Sequence, residues 1–229
     1  MAIEIPMLGL TVRAAVEMLA TAALVFAGCG AMMVEAVRPD SLGNHGIALV
    51  WGLTVAALAA ITGPLSGGHF NPAVTVALTA SRRFPVRDAA AYVPAQLLGG
   101  CLGATALALL QPSRPALLGA TIPSIALAAA VVVEGLMTIL LILVVRTVTA
   151  DPRVSGLVGA VAVGSAVGLD SFLGGPLTGA SMNPARSLGP AALSGVWDHL
   201  WIYVLGPIGG AVLGSAVFDV LRQRASLNR

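Results

Sequence analysis

The tripeptide Asn-Pro-Ala occurs twice in this chain of 229 residues, once in each half. Asn71-Pro72-Ala73 lies in GPLSGGHFNPAVT, and Asn183-Pro184-Ala185 lies in GPLTGASMNPARS, 112 residues further on. Gly63-Pro64-Leu65-Ser66-Gly67 matches Gly175-Pro176-Leu177-Thr178-Gly179 at the same offset. Val16-Glu17-Met18-Leu19-Ala20-Thr21 pairs with Val133-Glu134-Gly135-Leu136-Met137-Thr138. Tyr92-Val93 followed by Gly99-Gly100 echoes Tyr203-Val204 followed by Gly209-Gly210. These matches describe a duplicated unit, at approximately 11–115 and 122–222, within a single domain over 1–229.

Composition decides the solvent. The chain is 57% hydrophobic and 10% charged, against about 25% charged in soluble domains, so it is read as a membrane protein. Apolar stretches fall at roughly 12–34, 46–63, 89–110, 124–145, 154–173 and 200–221. Most approach the ~20 residues a helix needs to cross the hydrocarbon core. The 27 glycines suit closely packed membrane helices. Each unit then reads as helix, helix, Asn-Pro-Ala segment, helix. Three crossings are odd, so the second unit enters from the opposite side and the repeats are inverted. The expected fold is an all-α membrane protein: six transmembrane helices plus two re-entrant half-helices in two inverted repeats.

All twelve basic residues are Arg. If the helices alternate, Arg13, Arg82, Arg83, Arg87, Arg146, Arg153, Arg222, Arg224 and Arg229 share one side, and only Arg38, Arg114 and Arg186 the other. That bias predicts a multi-pass protein of the cytoplasmic (inner) membrane with both termini cytoplasmic. The net charge of +2 is then topology and implies no nucleic-acid partner. Phe26-Ala27-Gly28-Cys29 loosely imitates a lipoprotein cleavage box, but Glu17 interrupts the apolar run, and cleavage would remove the first helix of the repeat. Cys29 and Cys101 read as small core residues. His45, His69 and His199 are scattered, so no metal site or cofactor is expected. With no nucleophile–base constellation or phosphate loop, the chain is not read as an enzyme.

Asn favours the N-cap, and Pro suits the first helical position, where its missing N–H has no partner anyway. Asn71 and Asn183 should therefore open short helices at roughly 72–80 and 184–193. Each would cover about 14–15 Å, half of a ~30 Å core. Entering from opposite faces, they would meet N-terminus to N-terminus near the midplane, sheltered inside the bundle. Each N-terminus carries about +0.5 elementary charge, so the meeting point repels cations. The Asn71 and Asn183 amides would donate there, and the carbonyls of Gly67, Gly68, His69, Gly179, Ala180 and Ser181 would accept. Such a lining suits a neutral molecule that can both donate and accept hydrogen bonds. Glu17 and Glu134 read either as a proton relay or as acceptors for the backbone N–H groups of the re-entrant loops; their duplicated positions favour the second. Arg186, on a buried half-helix, is expected to line the outer vestibule. His69 is expected in loop packing or the pore wall, with a pH gate as the alternative.

The paired motifs resemble the signature of the aquaporin, or major intrinsic protein, family, and the resemblance runs from Arg13 to Arg222. It implies a homotetramer embedded in lipid with one pore per subunit, Glu17 and Glu134 as loop supports, and Arg186 as the constriction arginine. It also assigns Trp51, Ser171 and Ala180 to the other constriction positions. Water-selective members typically carry Phe and His at the first two of these, so Trp51 and Ser171 imply a wider, partly amphipathic gate. The alternative for Trp51 is an interfacial belt position. Arg82-Arg83-Phe84-Pro85 and the segment Gly179 to Pro190 look most like the nodulin-type branch, which passes glycerol and uncharged acids such as boric and arsenous acid. Ser187 departs from the glycerol facilitators, which carry Asp there. The implied function is a passive channel for water and small uncharged solutes that excludes protons and ions. The alternative is an inverted-repeat transporter coupled to protons through Glu17 or Glu134.

Overall fold

The computed structural model describes residues 8–227. Eight α-helices follow in order: α1 Leu10–Val37, α2 Gly43–Ser66, α3 Pro72–Ala80, α4 Val86–Leu110, α5 Leu127–Ala150, α6 Gly156–Thr178, α7 Pro184–Ser194 and α8 Ile202–Leu227. Six of them, all but α3 and α7, are long and apolar enough to cross a membrane. α3 and α7 start and end within a residue of the expected half-helices.

The spanning helices depart from the apolar stretches at their ends, for local reasons. α2 and α6 run past Pro64 and Pro176 and stop where Gly67 (φ 94°) and Gly179 (φ 88°) turn left-handed, a conformation glycine adopts without steric cost. α5 begins after the expected position because the Ser124 N–H and hydroxyl both donate to the Leu177 carbonyl, at 2.9 and 3.0 Å.

α1 packs on α4 and α5 on α8, one pair in each repeat, while α2 packs on α6 across the repeats. The half-helices cross over as well: α3 lies against α8 and α7 against α4. The α4–α7 approach needs glycine. A Cβ on Gly100 would strike the Ala185 carbonyl, and one on Gly189 would strike the backbone of Gly100.

Polarity runs inside out relative to a soluble protein. Leu53, Leu109, Leu157 and Leu205 are exposed on the outside, whereas Glu17, Gln96, Glu134, Arg146 and Arg186 are buried. Ionisable groups inside a membrane need partners, and these have them. Arg146 on α5 reaches the Asp219 carboxylate of α8 at 2.5 Å and also donates to the Ser215 hydroxyl. Arg13 on α1 holds Asp88 on α4 at 2.7 Å. Between α4 and α5, Ala116, Leu117 and Leu118 take left-handed conformations (φ 49–58°) that turn Gly119 into the bundle.

Candidate functional site

Each half-helix is preceded by a strained loop. Gly67, Gly68 and Phe70 have φ of 94°, 64° and 31°, and their counterparts Gly179, Ala180 and Met182 have 88°, 43° and 52°. Positive φ is uncommon outside glycine and persists only where the surroundings impose it. The imposing groups are two carboxylates. Glu17 of α1 accepts the N–H of His69 at 3.0 Å and of Phe70 at 2.5 Å, the Ser66 hydroxyl at 2.7 Å and the Gln96 amide at 2.8 Å. Glu134 of α5 accepts the N–H of Ser181 at 2.9 Å and of Met182 at 2.8 Å, and the Thr178 hydroxyl at 2.7 Å. Tyr92 and Tyr203 complete the frame by donating to the carbonyls of Ser66 and Thr178, each at 2.7 Å.

At the centre the two loops lock to each other. The Asn71 Oδ1 accepts from Ala73 N–H at 2.8 Å, capping α3, and its Nδ2 donates to the Met182 carbonyl at 2.8 Å. The Asn183 Oδ1 accepts from the N–H groups of Ala185 and Arg186, capping α7, and its Nδ2 donates to the Phe70 carbonyl at 2.9 Å. This revises one expectation: each Asn amide gives one of its two N–H groups to the opposite loop, so only the second remains for a solute.

A cavity lies beside this junction. Its walls include Gly68, His69, Asn71, Ala180, Ser181 and Asn183, together with Trp51, Ser171 and Arg186, and apolar side chains such as Val55, Val74, Val163 and Val167. Gly67 is not among its walls, and Gly179 lines a second, outer cavity instead. Both glycines serve as the left-handed stops of α2 and α6. Pro72, Ala73, Pro184 and Ala185 are buried in the first turns of α3 and α7. His69 packs its ring against Phe84 and Tyr92, and its Nδ1 lies 3.0 Å from the Thr75 hydroxyl.

Arg186, only 1% exposed, lines the same cavity. Its Nη1 donates to the Gly119 carbonyl at 2.7 Å, its Nη2 lies 3.3 Å from the Met32 sulfur, and its guanidinium sits 4.8 Å from the Trp51 ring centre. Trp51 is buried, with its indole against Gly28 of α1, which rules out the interfacial belt position. Ser171 and Ala180 are buried beside them on the cavity wall. The Arg186 Nε and the Ser171 hydroxyl have no partner within the described protein. Both residues line the cavity. Ser187 points elsewhere: its hydroxyl bonds Ser181 at 2.6 Å and Thr121 at 2.9 Å, stitching α7 to its loop and to the α4–α5 segment.

Several participants escape sequence reasoning. Gly119 and Thr121 sit in a connection without motif or periodicity. Met32 reads as one more apolar residue of α1. Asp170, adjacent to Ser171, is buried with its Oδ2 unpartnered; an acidic residue inside an apolar helix is the signal that marks it.

Six spanning helices closed around two capped half-helices, with a polar-lined cavity at their junction, form the architecture of a membrane pore. The chain belongs to the major intrinsic protein family, whose model matches residues 8–218. Nodulin-26 of Glycine max is 43% identical over 206 residues, which cover 90% of this chain and 76% of the relative. Aquaporin NIP1-1 of Oryza sativa subsp. japonica is 40% identical over 206 residues, 90% of this chain and 72% of the relative. Among solved structures, the aquaglyceroporin from Plasmodium falciparum superposes with a TM-score of 0.80 at 28% identity, covering 92% of this chain and 96% of that one.

Proposed function

We propose that this protein is a passive channel for water and small uncharged solutes, glycerol among them, with boric and arsenous acid as further solutes, and that it refuses protons and ions. The observation that carries this reading is the junction of α3 and α7, whose capped N-termini meet beside a cavity also lined by Arg186. Three sources of positive potential then face one narrow path: two helix N-termini of about +0.5 charge each and a guanidinium. A cation, including hydronium, is repelled there, whereas a neutral molecule exchanges hydration for donors and acceptors on the wall. In this reading Trp51, Ser171, Ala180 and Arg186 form the selectivity filter. Asn71 and Asn183 orient the solute, and the carbonyls of Gly68, His69, Ala180 and Ser181 accept from it.

The proton-coupled alternative requires a carboxylate free to gain and lose a proton. Glu17 and Glu134 each hold two backbone N–H groups and at least one hydroxyl, which suits a fixed acceptor better than a relay. The protein is further proposed to act as a homotetramer in the cytoplasmic membrane, with both termini on the cytoplasmic side and inverted repeats bounded near 11–115 and 122–222.

Stopped-flow swelling of proteoliposomes, with water, glycerol, urea and boric acid compared in one preparation, tests the function. Rapid equilibration that a pH gradient does not drive into accumulation is the expected result. Accumulation against a gradient, or an ion current comparable to the solute flux in planar bilayers, would sink the channel reading.

A further inference from the structure

The filter arginine has an unusual second partner. Gly119 gives Nη1 a carbonyl oxygen at 2.7 Å, but Nη2 is met by the thioether of Met32 at 3.3 Å. A thioether is a weak acceptor, and an oxygen arriving at the same nitrogen makes the stronger bond, because hydrogen bonds to charged donors are the strong ones. Met32 is half-buried and lines the outer cavity together with Trp51, Ser171 and Ala180. Arg186 itself lines the junction cavity, which shares Trp51, Ser171 and Ala180 with the outer one, so a solute passing that shared wall meets the guanidinium. One turn earlier on α1, the Cys29 sulfur lies 3.8 Å from the Gly119 carbonyl, the oxygen that fixes Nη1. α1 thus steadies one side of the guanidinium and only loosely occupies the other.

We propose that Met32 is a positioning residue for solute selection. It keeps Arg186 oriented when the filter is empty and releases Nη2 to a hydroxylated solute such as glycerol when one arrives. The strength of the acceptor at position 32 then sets the affinity of the filter for such solutes, while water depends on it less. This rests on the channel reading given above.

The test compares the full-length parent with Met32→Leu and Met32→Gln in proteoliposomes, measuring water permeability and the concentration dependence of glycerol flux. Both replacements approximate the volume of methionine, and circular dichroism with size exclusion checks that each folds. Met32→Leu removes the competing acceptor, so the half-saturating glycerol concentration falls. Met32→Gln supplies an amide oxygen, so that concentration rises. Each shift is expected to be roughly three- to tenfold, the scale on which one acceptor of a charged N–H is exchanged for another. A purely structural role would move both variants in the same direction. A conducting parent whose variants shift together, or neither by more than about twofold, overturns the assignment of Met32 and leaves the channel intact. A parent that passes neither water nor glycerol overturns the channel reading and this proposal with it.

Discussion

A guanidinium at 1% exposure, with one oxygen partner, one sulfur partner and a free Nε, sits beside the hydroxyl of Ser171, which is also free. Both residues line the cavity together with Trp51, whose ring lies against the guanidinium. Two outcomes follow at this scale. Arg186→Val removes the charge and should loosen exclusion of charged species, read as ion current in planar bilayers; unchanged selectivity would remove Arg186 from the gate. Ser171→His places an imidazole where a small hydroxyl now stands. The ratio of glycerol to water flux should fall about tenfold, the effect of ~1.4 kcal/mol added to the larger solute's barrier. An unaltered ratio would show that Ser171 does not set solute size.

The half-helices owe their position to side chains of other helices, so their stability is not local. Replacing Glu134 with Leu leaves the buried N–H groups of Ser181 and Met182 without their acceptors. At about 1–3 kcal/mol for each orphaned group, the loss should be ~2–6 kcal/mol, visible as earlier thermal unfolding in detergent; Glu17→Leu should behave alike. The α5–α6 connection shows a different electrostatic arrangement. The Arg153 guanidinium and its N–H hold the half-buried Asp151 carboxylate down to about 2. A depressed carboxylate contributes above its unfolded value of about 3.9 and loses that contribution as pH falls through its folded value. Asp151→Asn should therefore leave the pH profile of solute flux unchanged between about pH 5 and 8. A difference between mutant and parent in that window, measured by the same swelling assay, would contradict the pairing.

Viewed as a whole molecule, the path of the chain was legible because its signals are strong ones. Apolar length marks the spans, and the Asn-Pro pairs mark helix starts with a defined capping chemistry at residues 71 and 183. The doubled Glu17 and Glu134 mark the loop anchors. What stayed hidden involves contacts between segments distant in sequence. Nothing around Gly119 announces that its carbonyl meets Arg186, since one backbone oxygen looks like any other. Likewise, the commitment of the Asn71 and Asn183 amides to the opposite loop depends on how closely the two loops approach. The close packing of α7 on α4 at Gly100 and Gly189 is also a contact that the motif does not announce. The α2–α6 face carries exposed Leu49, Leu53, Val161, Leu169 and Phe172, apolar surface that lipid or a neighbouring subunit would cover. Cross-linking in native membranes should give a four-subunit species if the proposed tetramer forms; a monomer alone would refute it.

The crossing of the half-helices carries a consequence for biogenesis. α3 leans on α8, the last of the described helices, and each Asn completes its bonds only on the loop of the other repeat. A nascent chain that has threaded its first half into the bilayer therefore holds an unfinished gate with nothing to close against. The two halves therefore finish each other, and neither repeat alone forms the junction.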